Sequence, residues 1–204
     1  MSQYGKLFCS TRIPRLEKDE IVTQPGSRHI LVIRQGHYFA VDVLDTQGNI
    51  KSPLDIHAAL SHILKQPLSL PEHSVTVLST LERNRWAEAR VNLLAGGVGN
   101  EQSLQDFDAA IFALCLDDLD TTEPTELGHS LLHGNGYDRW FDKSISWIVQ
   151  KSGVTAINFE HSWGDGVAVL RLMEDTFRDS AQHHFVGPET MSDHINLDDC
   201  VRPI

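Results

Sequence analysis

"AAIFALCL" occupies Ala109–Leu116 and carries no charge. An unbroken apolar run of strand length reads as a strand buried on both faces, the kind that stands in the middle of a sheet. Upstream, His29–Arg34 (HILVIR) and Tyr38–Leu44 (YFAVDVL) are β-rich runs separated by Gly36, a hairpin signal. Downstream, Lys143–Gln150 and Val154–Phe159 form a second pair of strands around Lys151-Ser152-Gly153. Leu54–Leu64 places apolar residues at 56, 60, 63 and 64, a helical period with Pro53 in its first turn. Val75–Ser79 reads as a short strand, and a helix runs from Thr80 to about Leu94, stopped by Gly96-Gly97. Gly99–Ser103 reads as a loop and Leu104–Phe107 as a helical turn. Asp117–Pro124 is an acidic loop, Glu126–Leu132 a short helix, and Val167–Arg178 a last helix with apolar residues at 167, 170, 173 and 177. Strands and helices mix around the apolar run. The class is therefore α/β (α+β), a central mixed β-sheet with flanking helices.

The bulk numbers narrow the partners. Lys and Arg total 17 and Asp and Glu total 28, a net charge of −11 over 204 residues. A surface of that sign repels phosphate backbones, which argues against nucleic acid. Cys9, Cys115 and Cys200 are far apart and form no CxxC, so neither a disulfide framework nor a zinc knuckle is expected. No apolar run approaches the roughly 20 residues that span a bilayer. No targeting segment is visible at the start, MSQYGKLF. The stretch LFCSTRIPRLEKDE reads as an extended connector, and residues 181–204 as a polar, poorly ordered tail.

Chemistry concentrates in "NFEHSWGDGVAVLRLMEDTF", Asn158–Phe177, where a strand gives way to a helix. It contains His161, then Asp165 four residues later, then Gly166. An imidazole has an ordinary pKa near 6.5, so a histidine at a strand end can take and return a proton near neutral pH. Alcohols are almost wholly protonated there, and a placed base is worth roughly 10²–10⁴ in rate. Asp165 has two readings: it orients the imidazole, or it makes a structural pair that fixes the loop. Four residues across a glycine-containing turn suit the second better. Gly164 and Gly166 offer backbone freedom and room for a ligand.

Three stretches, in order, give this motif a context: YGKLFCSTRIPR (Tyr4–Arg15), HGNGYDRWFDKS (His133–Ser144) and FEHSWGDGVAVLRLMEDTFRDS (Phe159–Ser180). Together they resemble the choline/carnitine acyltransferase family, and Ser-Trp-Gly-Asp-Gly after the histidine resembles its long-chain mitochondrial members. The resemblance covers 1–180 as part of the acyltransferase domain. It implies an incomplete copy of a chloramphenicol acetyltransferase-like fold, that of the coenzyme A-dependent acyltransferases. It implies acyl-CoA and carnitine as substrates, coenzyme A as co-substrate, and no tightly bound cofactor. The implied catalytic base is His161, with Asp165 and Gly166 supporting its loop. Residence in the mitochondrion, on the matrix side of the inner membrane with peripheral membrane association of the full-length protein, is likewise implied.

The family's coenzyme A and carnitine contacts, the arginine that pairs with its loop carboxylate and its Ser-Thr-Ser oxyanion stretch have no counterpart after Ser180. The resemblance therefore predicts a truncated chain, leaves the cofactor-binding residues unassigned, and makes a catalytically incompetent remnant the alternative. A member with another acyl length, or with choline as acceptor, is a further alternative. Asp138 stands where the family usually has Asn. Elsewhere, His129 and His133 have helical metal-pair spacing but no third ligand, so no metal is expected. Arg139–Lys143 reads as a loop locked by Arg/Asp pairing and buried rings. Arg83, Arg85 and Arg90 read as a solvated face partnered by Glu82 and Glu88, and His183-His184 as exposed.

Overall fold

A computed structural model describes residues 4–187, 189–190, 197 and 200–204. Its elements are α1 (Tyr4–Leu7), β1 (Ser10–Ile13), β2 (Glu20–Thr23), β3 (His29–Arg34), β4 (His37–Asp42), α2 (Pro53–Lys65), a 3₁₀ segment (Val75–Thr80), α3 (Arg83–Ala95), α4 (Asn100–Ala109), β5 (Ala113–Asp117), α5 (Pro124–Leu132), β6 (Ile145–Gln150), β7 (Thr155–Phe159), α6 (Gly166–Gln182) and β8 (Val201–Pro203). Six strands form one mixed sheet in the order β7-β6-β5-β3-β4-β8. β5 runs parallel to both β3 and β6, and the outer pairs are antiparallel. The apolar run thus lies in the parallel centre. Its regular ladder starts at Ala113, because Ala109 closes α4 and Ile111 bonds instead to His29 and Cys9 through its backbone.

The period-two alternation of the central strands builds two cores. Leu31, Ile33, Ala113, Cys115 and Ile148 face α3 and α4 through Trp86, Leu104 and Phe107, with Trp140 among them. Ile30, Val32, Phe39, Val41, Leu114 and Leu116 face α2 through Ala59 and Ile63. The three rings Trp86, Phe107 and Trp140 meet edge to face, the geometry that ring quadrupoles favour. A third cluster, Leu7, Ile145, Trp163 and Val169, holds α6 against the end of the sheet.

Several sequence expectations are corrected. Val75–Thr80 is a 3₁₀ segment rather than a strand. Its hydroxyls bond locally, Ser79 to the Thr76 carbonyl and Thr80 to the Val77 carbonyl, both at 2.7 Å, so β-branched content misleads here. Residues 99–103 are largely helix, since α4 begins at Asn100, whose amide donates to the Leu93 carbonyl at 2.7 Å. LFCSTRIPRLEKDE is no loose connector: Leu7, Ser10, Thr11 and Ile13 are buried, and β1 pairs with β2. The 167, 170, 173, 177 stripe of α6 points outward, with Phe177 72% exposed, while Val169 is the buried anchor. Most of 188–199 lies outside the described residues. At the end of the expected tail, Val201–Pro203 forms the edge strand against β4.

Candidate functional site

The loop from Glu160 to Asp165 links β7 to α6 and is fixed from beneath. Trp163 is buried against Leu7, Ile145 and Val169, and its indole Nε1 donates to the Ser144 carbonyl at 3.2 Å. The same carbonyl accepts from the Glu160 N–H at 3.1 Å. The Ser144 hydroxyl donates in turn to the Leu7 carbonyl at 2.7 Å. One backbone oxygen at the start of β6 therefore holds the loop at two points.

His161 stands above this floor with its side chain 70% exposed. Its ring lies 5.3 Å from that of Phe159, tilted by 35°. Nε2 is 3.7 Å from Asp165 Oδ1, an ion-pairing distance for a protonated ring but too long for a hydrogen bond. Asp165 Oδ1 accepts instead from the Gly166 N–H at 2.6 Å, which caps α6 with a carboxylate at its positive end. Asp165 is itself 79% exposed. Gly166 does not adopt a positive φ, and a Cβ there would make ordinary contact with Phe159 at 3.6 Å. The loop does not depend on glycine angles for its shape.

A chain of charges that sequence reading missed runs from this loop into the core. Glu160 Oε1 accepts from Arg12 Nη1 at 2.9 Å, and Arg12 Nε donates to Asp19 at 2.5 Å. Asp19 also accepts from Arg83 Nε at 2.6 Å, and Arg83 Nη1 donates to Asp142 at 2.7 Å. Asp142 closes the series by accepting from the buried Trp86 indole at 2.6 Å. Burial opposes the Arg12 charge, but Asp19 and Glu160 outweigh it and raise its pKa. Burial likewise pushes up Asp19, yet donors from Arg83, Arg15 and Arg12 bring its pKa below the usual carboxylate range. For Asp142, burial wins and the pKa is raised despite Trp86 and Arg83. The sequence signal was the density of charge in STRIPR and DRWFDK, without any indication of who pairs with whom.

That pairing corrects the solvated-arginine reading. Arg83 belongs to the chain above, and Arg90 is buried against Asp108. The Arg139–Lys143 segment is locked as expected by buried rings, but Arg139 finds its carboxylate on β5: Asp117 takes both guanidinium nitrogens at 2.9 and 2.7 Å. Lys143 is buried, its Nζ donating to the Asp108 carbonyl at 2.7 Å. His129 and His133 stack at 5.5 Å, and among the described residues no group of three metal-ligating side chains gathers there. His183 pairs with Asp179 on the surface.

Two clefts of about 570 Å³ flank the sheet. One lies beyond the carboxyl ends of β3 and β5, where Gln35, Asp118, Glu126, His129 and Asp138 converge. Burial raises the Asp138 pKa, and its Oδ1 accepts from the Gly36 N–H at 2.8 Å. The other is an apolar groove across the opposite face, lined by Ile30, Leu60, Leu114, Trp147 and Val149 and reaching Thr176 of α6. Neither cleft includes His161. Among the described residues no helix is long and apolar enough to cross a membrane.

Comparison with known proteins places these features in a family context. A family model described as choline/carnitine O-acyltransferase matches residues 1–200. The chain is 49% identical over 190 residues to mitochondrial carnitine O-palmitoyltransferase 2 of Rattus norvegicus, covering 93% of this chain and 29% of that protein. The Homo sapiens counterpart is 48% identical over 190 residues, with the same coverage of 93% and 29%. The liver isoform of Homo sapiens carnitine O-palmitoyltransferase 1 is 35% identical over 184 residues, covering 85% of this chain and 23% of that protein. The chain thus spans about 29% of the length of the carnitine O-palmitoyltransferases 2 it matches. The mixed sheet with flanking helices is consistent with that family's fold.

Proposed function

The chain belongs to the choline/carnitine acyltransferase family, and from that premise we propose that it serves transfer of a long-chain acyl group between coenzyme A and carnitine, with His161 as general base. His161 takes the proton of the carnitine hydroxyl. The alkoxide attacks the thioester carbonyl, and the tetrahedral intermediate collapses with loss of the coenzyme A thiolate. The imidazolium then returns its proton to that sulfur. In reverse, the thiol is the group deprotonated. No covalent enzyme intermediate enters, since bringing both substrates together supplies much of the acceleration. Asp165 and Gly166 support the loop through the bond from the Gly166 N–H to the Asp165 carboxylate at the start of α6. Coenzyme A acts as co-substrate, and no tightly bound cofactor takes part. Similarity to mitochondrial carnitine O-palmitoyltransferases 2 supports residence in the mitochondrion, and we propose the matrix face of the inner membrane as the site of action.

The observation that carries the chemistry is the setting of the imidazole: solvent-open, not hydrogen-bonded to Asp165, and standing on a loop anchored from below. Palmitoyl-CoA and carnitine with a thiol-trapping dye test it. His161→Ala is expected to lower coenzyme A release by roughly 10²–10⁴. Release from the unmutated chain no greater than from His161→Ala overturns the catalytic reading. A second reading, a catalytically silent carrier of the same fold, is favoured by one observation: neither described cleft reaches the ring. Calorimetric binding of carnitine or coenzyme A without turnover supports that reading. Repeating the assay with choline and with shorter acyl groups fixes acceptor and chain length.

A further inference from the structure

We infer that Arg12 and Glu160 form a positioning clamp for the His161 ring, an inference that rests on the proposed role of His161. Glu160 precedes the histidine, and its carboxylate reaches around it. Oε2 accepts from the Ser162 N–H at 2.9 Å and from the Ser162 hydroxyl, so one carboxylate joins the residues on both sides of His161. The Glu160 N–H is meanwhile held by the Ser144 carbonyl at 3.1 Å. The backbone angles that aim the imidazole are enclosed within this short closed ring of bonds.

A free carboxylate on a surface loop would spend most of its time in water. Here it cannot, because Oε1 is taken by Arg12 at 2.9 Å and the Glu160 side chain is only 12% exposed. Arg12 is fixed in its turn. It stands on β1 and uses Nε for Asp19 while Nη1 serves Glu160, and Asp19 leads through Arg83 to Asp142 and the buried Trp86. A planar guanidinium fork presents Nε and Nη1 to two carboxylates in fixed geometry, which a lysine's rotatable ammonium on its flexible stem does not reproduce. Apolar burial fixes Trp163, two residues beyond the histidine, whereas the exposed imidazole stands 5.3 Å from the Phe159 ring and 3.7 Å from the likewise exposed Asp165. The clamp adds a constraint on the backbone that carries the exposed residue itself.

The test uses the full chain with isotope-labelled histidine and phenylalanine rings, in four forms: unmutated, Glu160→Gln, Arg12→Gln and Arg12→Lys. Near-ultraviolet circular dichroism confirms that the tryptophan core is intact. In the unmutated chain His161 should give a single ring signal with a cross-relaxation peak to Phe159. In Glu160→Gln and Arg12→Gln that peak should fade and the ring signal should split or broaden. Arg12→Lys should not restore it, since a rotatable ammonium does not reproduce the planar fork between Asp19 and Glu160. An unchanged peak in Glu160→Gln overturns the inference, and so does full restoration by Arg12→Lys. If Arg12→Gln unfolds, the isosteric Glu160→Gln reads the same link. Where the unmutated chain turns over palmitoyl-CoA, kcat should fall about ten- to a hundredfold with KM unchanged in the same variants. Absence of turnover in the unmutated chain would sink the proposed function alone, and the ring signals would still decide the clamp.

Discussion

Lys143 lies directly beneath the loop, one residue before the serine that anchors it, and its replacement by methionine isolates an electrostatic cost built into that floor. The lysine is 1% exposed, and burial lowers its pKa from 10.5 to about 7. Asp108 and Cys9 face it and pull the other way. The Asp108 carboxylate is already engaged with Arg90. Because the folded pKa is lowered, between about pH 7 and about pH 10.5 the unfolded chain holds a proton that the folded chain has released. Stability from this group therefore rises with pH across that window, and the penalty is largest below it. At about 1.36 kcal/mol per unit, the gain between about pH 7.5 and pH 9 is about 2 kcal/mol. Stopping near pH 9 matters, because burial raises the Cys9 thiol and an unfolded chain would shed that proton first, lowering stability beyond it. Lys143→Met keeps an unbranched apolar stem as far as the ε position and removes the amine. It leaves the Asp108 carbonyl without its 2.7 Å donor, at a cost of about 1–3 kcal/mol that does not vary with pH. Urea unfolding followed by tryptophan fluorescence across that range should show the unmutated chain gaining about 2 kcal/mol over the variant. Parallel curves for the two proteins would refute the assignment of a lowered pKa to Lys143.

Other substitutions read other parts of the same frame. Asp165→Ala should destabilise by about 1 kcal/mol in thermal or urea unfolding through loss of the α6 cap, and Asp165→Asn should recover most of it, whereas equal losses would mean that the carboxylate acts otherwise. Phe177→Ser should change stability by no more than about 0.5 kcal/mol, since the ring is exposed; a loss of several kcal/mol would restore the inward reading of that stripe. Trp86→Phe leaves Asp142 without its indole donor and should cost about 1.5–3 kcal/mol in urea unfolding, a buried hydrogen bond to a carboxylate being lost. Gly36→Ala should destabilise by at least about 1 kcal/mol, because φ is +71° there and the new Cβ would approach Pro71 to 2.7 Å; an unchanged midpoint would remove the strain assigned to that turn.

The centre of the sheet was readable because burial on both faces writes itself into composition. Ala113–Leu116 has no polar position to misplace, and the two hairpins announce themselves by β-rich runs around Gly36 and Gly153. Periodicity failed where two apolar stripes share one helix. In α6 the stripe at 167, 170, 173 and 177 is the more regular, yet the chain buries Val169 and half-buries Ala168 and Leu172 beside Trp163. Sequence spacing reports that a helix is amphipathic, not which side meets the sheet. Val75–Thr80 failed because hydroxyls bonding to their own backbone look like strand formers to a propensity scale. At the site, His161 and Asp165 were visible as a motif, but Arg12, Asp19, Arg83 and Asp142 were not. Their pairings join β1, α3 and the stretch before β6, positions far apart along the chain.

A base that must meet two substrates has to be accessible, and accessibility removes the main force that orders side chains. The hydrophobic effect orders what it buries, and here it orders Trp163, Phe107 and Trp140, not the imidazole. The remaining means are hydrogen bonds and ion pairs, which are weak when exposed and screened by salt. Anchoring such bonds on enclosed carboxylates makes them stronger, because solvent and salt screen them less there. Arg12 is about a third exposed, Arg83 about a quarter, Asp19 a tenth, and Asp142 nearly enclosed. The inner members hold the outer ones in place, so the pair nearest solvent behaves as part of a network rather than as an isolated surface salt bridge. Removing Asp142, the member farthest from His161, should therefore disturb the ring signals of His161 as well as the local packing. If Asp142→Asn leaves them untouched, the order of the loop comes from Ser144 and Trp163 alone, and the inner charges serve only the core.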